Sequence, residues 1–379
     1  MSELERERRE MARTLCPPGE RPDPSLQITR RIFLHRSLLT GAAASAATFG
    51  WFPLINTIDL AYGAEQPFKF AWISDTHLYP KSVNTRFVEH ATRAAQDVQA
   101  MSPPADFLIF GGDLAQLGRT DELDLGNEIL KEVKIRKVFI PGEHDWYYDM
   151  GAKWRQLFDK PNWSFDHKGV RFVGLDTISR DEDYWTARKL TPEQRMDYMA
   201  DLDGGVAGAW AGVGRDQLEW LHNTLSDWDK AKPVVVFSHN PLYEYYPPWN
   251  FWVRDWREVQ EVLRPYTNVT NIHGHTHQVL YNEIGKMRSI GMLATAWPWP
   301  YAPQGVPALT KPMIRVDPGD TFDGVGWSKL EMTAKDRVEN EYVMWGRKVV
   351  FAESGPDSSL SHHEILRPRI ADQVGPYKF

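Results

Sequence analysis

The chain has 379 residues, 42% hydrophobic and 25% charged, which are globular proportions with ample material for a buried core. Its net charge of -7 lacks the basic excess that phosphate-backbone binding requires, so a nucleic-acid polymer is not an expected partner. The one cysteine, Cys16, lies in a segment expected to be removed, which excludes disulfides, thiolate metal sites and a cysteine nucleophile from the remainder.

Residues 1–28 are charged and contain prolines, and Thr29-Arg30-Arg31-Ile32-Phe33-Leu34 follows. From 37 to 60 only Asp59 is charged, yet Ser37, Thr40, Gly41, Ser45, Thr48 and Gly50 dilute the run, which is weak for a membrane span. The pattern resembles a twin-arginine signal, with cleavage expected after Gly63 or Ala64. An uncleaved membrane anchor and an ordinary basic helix are the competing readings. The resemblance implies the twin-arginine export machinery as partner and a periplasmic location, with membrane attachment only if the signal stays on. Segment 1–64 carries net +1, so the mature chain would carry -8.

From residue 68 strand-like and helix-like stretches alternate. Strands are predicted at 68–73, 106–110, 137–140, 170–175, 233–237 and 268–272, and helices at 86–101, 122–133, 214–228 and 253–263. Such alternation implies an α/β core with right-handed crossovers, in which ligands bind beyond the carboxyl ends of the strands. The long connection 178–212 reads as an insertion near the site or a flap. Stretches 325–333 and 340–345 read as edge strands closing the second sheet, and 353–379 as an exposed tail.

Five of these strands end in polar clusters of one chemical kind. They are Ser74-Asp75-Thr76-His77, Gly111-Gly112-Asp113, Pro141-Gly142-Glu143-His144-Asp145, Ser238-His239-Asn240-Pro241 and His273-Gly274-His275-Thr276-His277. Any one histidine is more often a packed residue than a ligand, but five such strand ends are hard to explain by packing. Asp75, His77, Asp113, Glu143, His239, His275 and His277 offer three carboxylates and four imidazoles, more than one ion can use. Two divalent ions roughly 3.5–4 Å apart, bridged by a carboxylate and a hydroxide, would use all seven. Such a pair makes a nucleophile of water and clamps an in-line displacement at phosphorus, with no protein nucleophile.

The series Asp75-x-His77, Gly112-Asp113, Gly142-Glu143-His144-Asp145, His239 and Gly274-His275-x-His277 resembles the calcineurin-like metallophosphoesterases over residues 68–280, with the motifs in family order. Gly112-Asp113-Leu114-Ala115-Gln116 and Gly274-His275-Thr276-His277-Gln278 are most similar to the cyclic-nucleotide phosphodiesterase branch. The resemblance implies a four-layer α/β/β/α sandwich of two mixed sheets flanked by helices. It divides the chain into the extension and signal, 1–64, a metallophosphoesterase domain, 65–352, and the tail, 353–379. It implies that Asp75, His77 and His277 hold a first metal, that Asp113 bridges, and that His239 and His275 hold a second. His144 is then the acid or electrostatic partner of the leaving oxygen, and Asp145 the carboxylate that orients it by a hydrogen bond. The metals implied are two divalent or mixed-valence ions, among manganese, iron and zinc.

Two positions depart from the pattern. Glu143 stands where the family usually has asparagine, so that two divalent ions, three carboxylates and a hydroxide sum to zero instead of +1. Retained as a ligand, Glu143 would tighten metal binding, favour a more highly charged ion such as ferric iron, and weaken attraction for an anionic phosphate; the alternatives are that it swings away or that hydrolysis is lost. Gln116 occupies the position of the tyrosine of purple acid phosphatases, so no tyrosinate-iron colour is expected. His273, outside the family's ligand set, is expected to be packed or to support the ligands from behind.

Aromatic stretches at 146–148, 243–252 and 297–301 are expected to wall the site; packing of long loops on the core is the competing reading. The expected function is an exported two-metal hydrolase of phosphodiesters or small phosphomonoesters. The alternatives are a phosphatase on sugar, lipid or nucleotide phosphates, or a non-hydrolytic metal- or partner-binding protein of the same fold.

Overall fold

Strand β1 (Phe68–Ile73) is buried at every position but Lys69, and β2 (Phe107–Phe110) at all four. Near-continuous apolar runs of this kind mark strands covered on both faces. The computed structural model describes residues 66–178, 189–199, 211–245, 251–298, 324–333 and 337–345. The signal-like segment 1–64 and the tail 353–379 lie outside these residues. Among the described residues no helix is long and apolar enough to cross a membrane.

The first sheet runs β11-β10-β1-β2-β3, with β3 at Arg136–Phe139, β10 at Gly326–Met332 and β11 at Val338–Met344. Its β1, β2 and β3 are parallel, and β10 is antiparallel to both β1 and β11. The second sheet runs β4-β5-β6-β7-β9-β8, comprising β4 (Trp163–His167), β5 (Val170–Leu175), β6 (Val234–Ser238), β7 (Val269–His273), β8 (Leu280–Ile284) and β9 (Met287–Gly291). There β5, β6, β7 and β9 are parallel, with antiparallel β4 and β8 at the edges.

Period-2 alternation sends one set of β1 and β2 side chains toward the second sheet. Phe70 meets Phe172 and Phe237 edge-on at 5.7 and 6.2 Å between ring centres, and Trp72 stacks on Phe237 at 5.9 Å. Phe107, Ile109, Val235, Ile272 and Ile290 complete this layer. Each such buried side chain contributes roughly 1.5–3 kcal/mol. The opposite set, Ala71, Ile73, Leu108 and Phe110, joins a second core with Phe87, Val88, Ala91, Ala94, Ala95 and Val98 of α1 (Thr85–Gln99). Asn84 caps that helix by accepting from Phe87 N–H at 3.2 Å. Helices α2 (Thr120–Leu130), α3 (Ala152–Phe158), α4 (Pro192–Met199), α5 (Arg215–Leu225) and α6 (Trp256–Leu263) complete the flanking layers of the expected α/β/β/α sandwich.

Three details differ from the sequence reading. The two C-terminal strands join the sheet that holds β1, and β10 is interior because it pairs with both β1 and β11; only β11 is an edge. The hairpins β4–β5 and β8–β9 were not predicted, although each turns at a Gly-containing dipeptide, Lys168-Gly169 and Gly285-Lys286. Positive φ at Lys168 and Gly169, 46° and 79°, makes the first a tight two-residue turn. The connection 178–212 contains α4, whose Arg195 guanidinium donates to Tyr147 O and, at 2.7 Å, to Tyr148 O.

Candidate metal centre

The carboxyl ends of β1, β2, β3, β6 and β7 converge where the two sheets meet. Immediately beyond them the backbone turns into the left-handed region, with φ of 54° at Asp75, 44° at His77, 54° at Asp113, 63° at His275 and 52° at His277. These are five of the nine described non-glycine residues with positive φ. Such conformations cost about 1–3 kcal/mol each and persist only where the surroundings impose them. Here the loops after β1 and β2 lie side by side: Asp75 N–H donates to Gly112 O at 2.9 Å, His77 N–H to Asp113 O at 3.0 Å and Leu78 N–H to Leu114 O at 2.9 Å. Gly112, at φ 103°, leaves room that a Cβ would take from the His239 ring.

The seven side chains predicted as ligands are all buried and form two groups, each able to hold an ion. In the first, of Asp75, His77, Asp113 and His277, His277 Nε2 lies 3.1 Å from Asp75 Oδ1 and 3.2 Å from His77 Nε2. In the second, of Asp113, Glu143, His239 and His275, His239 Nε2 lies 3.2 Å from Asp113 Oδ2 and 3.1 Å from Glu143 Oε2. His275 Nδ1 lies 2.9 Å from Glu143 Oε1. Asp113 belongs to both groups. Within each, the ligand atoms lie within 4.8 Å of one another, close to the span that ligands at about 2.1 Å from a shared ion allow.

The donor chemistry fits cations. Among the described residues no lysine or arginine pairs with Asp75, Asp113 or Glu143; imidazoles, Ser74 and backbone N–H groups are their partners. Among the described residues neither His239 Nε2 nor Glu143 Oε2 forms a hydrogen bond, although they lie 3.1 Å apart and His239 Nε2 is 3.2 Å from Asp113 Oδ2, as expected of ligands aimed at a common point. The crowding shows in proton affinities. Burial and the Glu143 charge push the Asp113 carboxyl well above its usual range. Burial opposes charge on Glu143 too, but His275 and His239 hold it well below. Burial likewise works against a charged His239, yet Asp113 and Glu143 raise it well above an ordinary histidine.

Backbone and amide oxygens set the ring orientations. His239 Nδ1–H donates to Gly111 O at 2.8 Å and His77 Nδ1–H to Gln116 Oε1 at 3.1 Å, leaving both Nε2 atoms to the ion groups. His144 donates Nδ1–H to Gln116 O at 2.7 Å and its backbone N–H to Asp113 Oδ1 at 3.0 Å. Its ring stands edge-on to His77 at 4.4 Å. Burial lowers its pKa to about 4, so it is neutral at pH 7 with Nε2 unprotonated.

One predicted role is corrected. Asp145 does not hydrogen-bond His144; its carboxylate accepts from Ala115 N–H at 3.0 Å and Gly142 N–H at 3.1 Å, and so joins the loops after β2 and β3. Glu143 has not swung away, since both its oxygens face imidazoles of the second group. Gln116, read in the sequence as part of a branch motif and as a missing tyrosine, orients two site histidines. Ser74, which the sequence placed in the first cluster without a role, donates to Asp75 Oδ2; a lone serine carries no spacing signal. His273 is packed as expected, buried against the Tyr243 ring.

The aromatic stretches divide between wall and core. Trp297 stands edge-on to His77 at 4.7 Å and His277 at 5.9 Å, and Phe251 to His275 at 4.8 Å, so these two rings border the two groups. Trp146, Tyr147, Tyr243, Tyr245 and Trp252 are buried. Residues 246–250 and 299–301 lie outside the described residues.

Against known proteins, a family model for calcineurin-like phosphoesterases matches residues 68–279. A probable glycerophosphodiester phosphodiesterase, GpdQ, of Arcobacter nitrofigilis is 23% identical over 224 residues, covering 56% of this chain and 74% of that protein. The 3′,5′-cyclic adenosine monophosphate phosphodiesterase CpdA of Haemophilus influenzae is 24% identical over 293 residues, covering 74% and 91%. A crystal structure of a dimetal phosphatase from Danio rerio shares the fold, with a TM-score of 0.51 at 17% identity over 72% of this chain and 95% of that one.

Proposed function

The chain belongs to the calcineurin-like phosphoesterase family, and on that premise we propose that it is an exported enzyme hydrolysing phosphodiesters, with small phosphomonoesters as the secondary substrate class. As a metal-dependent phosphoesterase it needs two cation positions, and the observation that carries the reading is Asp113, one carboxylate common to both groups. Asp75, His77 and His277 would hold one ion, and Glu143, His239 and His275 the other. Two ions held there would lower the pKa of bound water and neutralise phosphoryl oxygens.

The chain's own residues do the rest. Asp113 fixes the distance between the two positions, and its Oδ1 holds the His144 backbone beside them. The Nδ1–H bond to Gln116 O turns His144 Nε2 into the atom that meets the leaving oxygen. A neutral imidazole there can take the proton that the attacking water gives up and pass it to the leaving oxygen. Trp297 and Phe251 line the approach, and their rings suit a planar or apolar group on the ester. A diester preference is supported by the two relatives named as phosphodiesterases. Export to the periplasm by the twin-arginine machinery is supported by Arg30-Arg31-Ile32-Phe33-Leu34 and the mildly apolar run after it.

The test is hydrolysis of bis(p-nitrophenyl) phosphate and p-nitrophenyl phosphate by the metal-stripped chain resupplied with manganese, iron or zinc. The expected result is diester hydrolysis exceeding monoester hydrolysis and abolished by a chelator. A chain that binds two metals and turns over neither ester would overturn the reading, and an unprocessed cytoplasmic product unaffected by Arg30→Lys with Arg31→Lys would overturn export.

A further inference from the structure

The three carboxylates of the centre are not equally engaged by the protein. Asp75 receives the Ser74 hydroxyl on Oδ2 and the His275 backbone N–H on Oδ1, the latter at 3.1 Å. Asp113 receives the His144 backbone N–H on Oδ1 at 3.0 Å. Among the described residues Glu143 receives no backbone N–H and no hydroxyl; its partners there are the rings of His239 and His275, and its buried Oε2 is left without a hydrogen bond. Hydrogen bonds donated to a carboxylate withdraw the electron density it can offer a cation, so Glu143 is the least attenuated oxygen donor of the set.

Its position is also fixed. Gly142, directly before it, lies so close to Asp113 that a Cβ there would collide with Asp113 Oδ1, and the next residue is tied to the same oxygen. The 3-10 turn Glu143–Asp145 is thereby clamped against the shared carboxylate. Glu143 and Asp113 give this group the same two carboxylates that Asp75 and Asp113 give the first, with no lysine or arginine opposite either among the described residues, so the difference between the positions lies in how freely Glu143 can donate.

We propose that the position formed by Asp113, Glu143, His239 and His275 selects a trivalent ion, with a divalent ion in the Asp75, His77, Asp113 and His277 position. This rests on the two-metal reading above and adds the charge and the order of the pair. A trivalent–divalent pair restores the net positive charge that three carboxylates and a hydroxide otherwise cancel, and with it the attraction for an anionic ester.

The test loads the metal-stripped full chain with ferric citrate and manganese chloride together and measures both metals per chain by elemental analysis, with electron paramagnetic resonance to detect a coupled pair. Wild type is expected to take one iron and one manganese. In Glu143→Gln the iron-to-manganese ratio falls by about tenfold or more, the loss that removal of even an indirect partner of a metal ligand produces. Glu143→Asp, which keeps the charge, retains iron and serves as the folding control. His77→Ala is expected to lose manganese and keep iron. An unchanged ratio in Glu143→Gln, two manganese ions in wild type, or loss of iron instead of manganese in His77→Ala would each overturn the proposal. Wild type with two metals, no iron preference and diester turnover overturns this inference alone. A mixed pair with no turnover on either ester supports it and overturns the hydrolytic reading.

Discussion

Gln116 holds His77 in one tautomer: its Oε1 lies 3.1 Å from His77 Nδ1, so the proton sits there and Nε2 faces Asp113 and His277. The same residue's carbonyl takes the His144 Nδ1–H. Gln116→Leu separates the two duties, removing the amide oxygen and keeping the carbonyl. The expected result is metal affinity reduced by about 10- to 100-fold at the Asp75–His77–His277 position, with the other position unchanged. Metal titration followed by calorimetry measures this, and equal losses at both positions would assign Gln116 a general structural role.

Gly142 is required by proximity. A Cβ on it would collide with Asp113 Oδ1 and stand 2.5 Å from Asp113 N. Gly142→Ala therefore displaces the shared carboxylate or the strand end carrying it, at about 1–3 kcal/mol of stability. Both metals are expected to bind more weakly in a chain whose far-ultraviolet circular dichroism is unchanged. Unaltered affinity for both would mean that the loops shift without moving Asp113.

What the sequence made legible was decided by chemistry that tolerates few substitutes. Cation ligation at a strand end demands Asp, Glu or His, so five such clusters announced the centre and the α/β alternation together. Strand ends read from apolar runs fell within a residue or two, as at β1, β5 and β7. Roles that rest on where the folded backbone passes were not legible. Asp145 looked like the partner of His144, but in the fold its carboxylate meets the N–H groups of Ala115 and Gly142 while the Gln116 carbonyl, 28 residues away, reaches the ring. The sheet membership of β10 escaped for the same reason. Nothing in Gly326–Met332 specifies a partner, and its pairing with β1 follows from the exposed edge that β1 offers.

Asp106 ties the sheets together at the end remote from the metals. It precedes β2, and its Oδ2 meets His167 Nε2 and Lys168 Nζ, both at 2.6 Å, on the β4–β5 hairpin. Burial would raise its pKa, but the hydrogen bonds from Lys168 and His167 hold it below the ordinary aspartate value of 3.8. A carboxyl with a depressed folded-state pKa contributes stability above its unfolded value, and that stability is lost as pH falls through the folded one. For this half-exposed group the contribution is roughly 1 kcal/mol or less. Asp106→Asn is expected to lower the urea midpoint at pH 7 slightly and to narrow its gap from wild type below about pH 4. A gap that does not change with pH would show that shape, not charge, makes the contact.

Asp113 is the residue on which two metal positions depend, and metal stoichiometry in Asp113→Asn tests the account most directly. The substitution keeps the side chain's size and removes its charge from both groups at once. With manganese resupplied, elemental analysis is expected to find two ions per wild-type chain and fewer than one in Asp113→Asn, with bis(p-nitrophenyl) phosphate hydrolysis lost in parallel. Two ions still bound in Asp113→Asn, or a single ion in wild type, would contradict a centre built on one shared carboxylate.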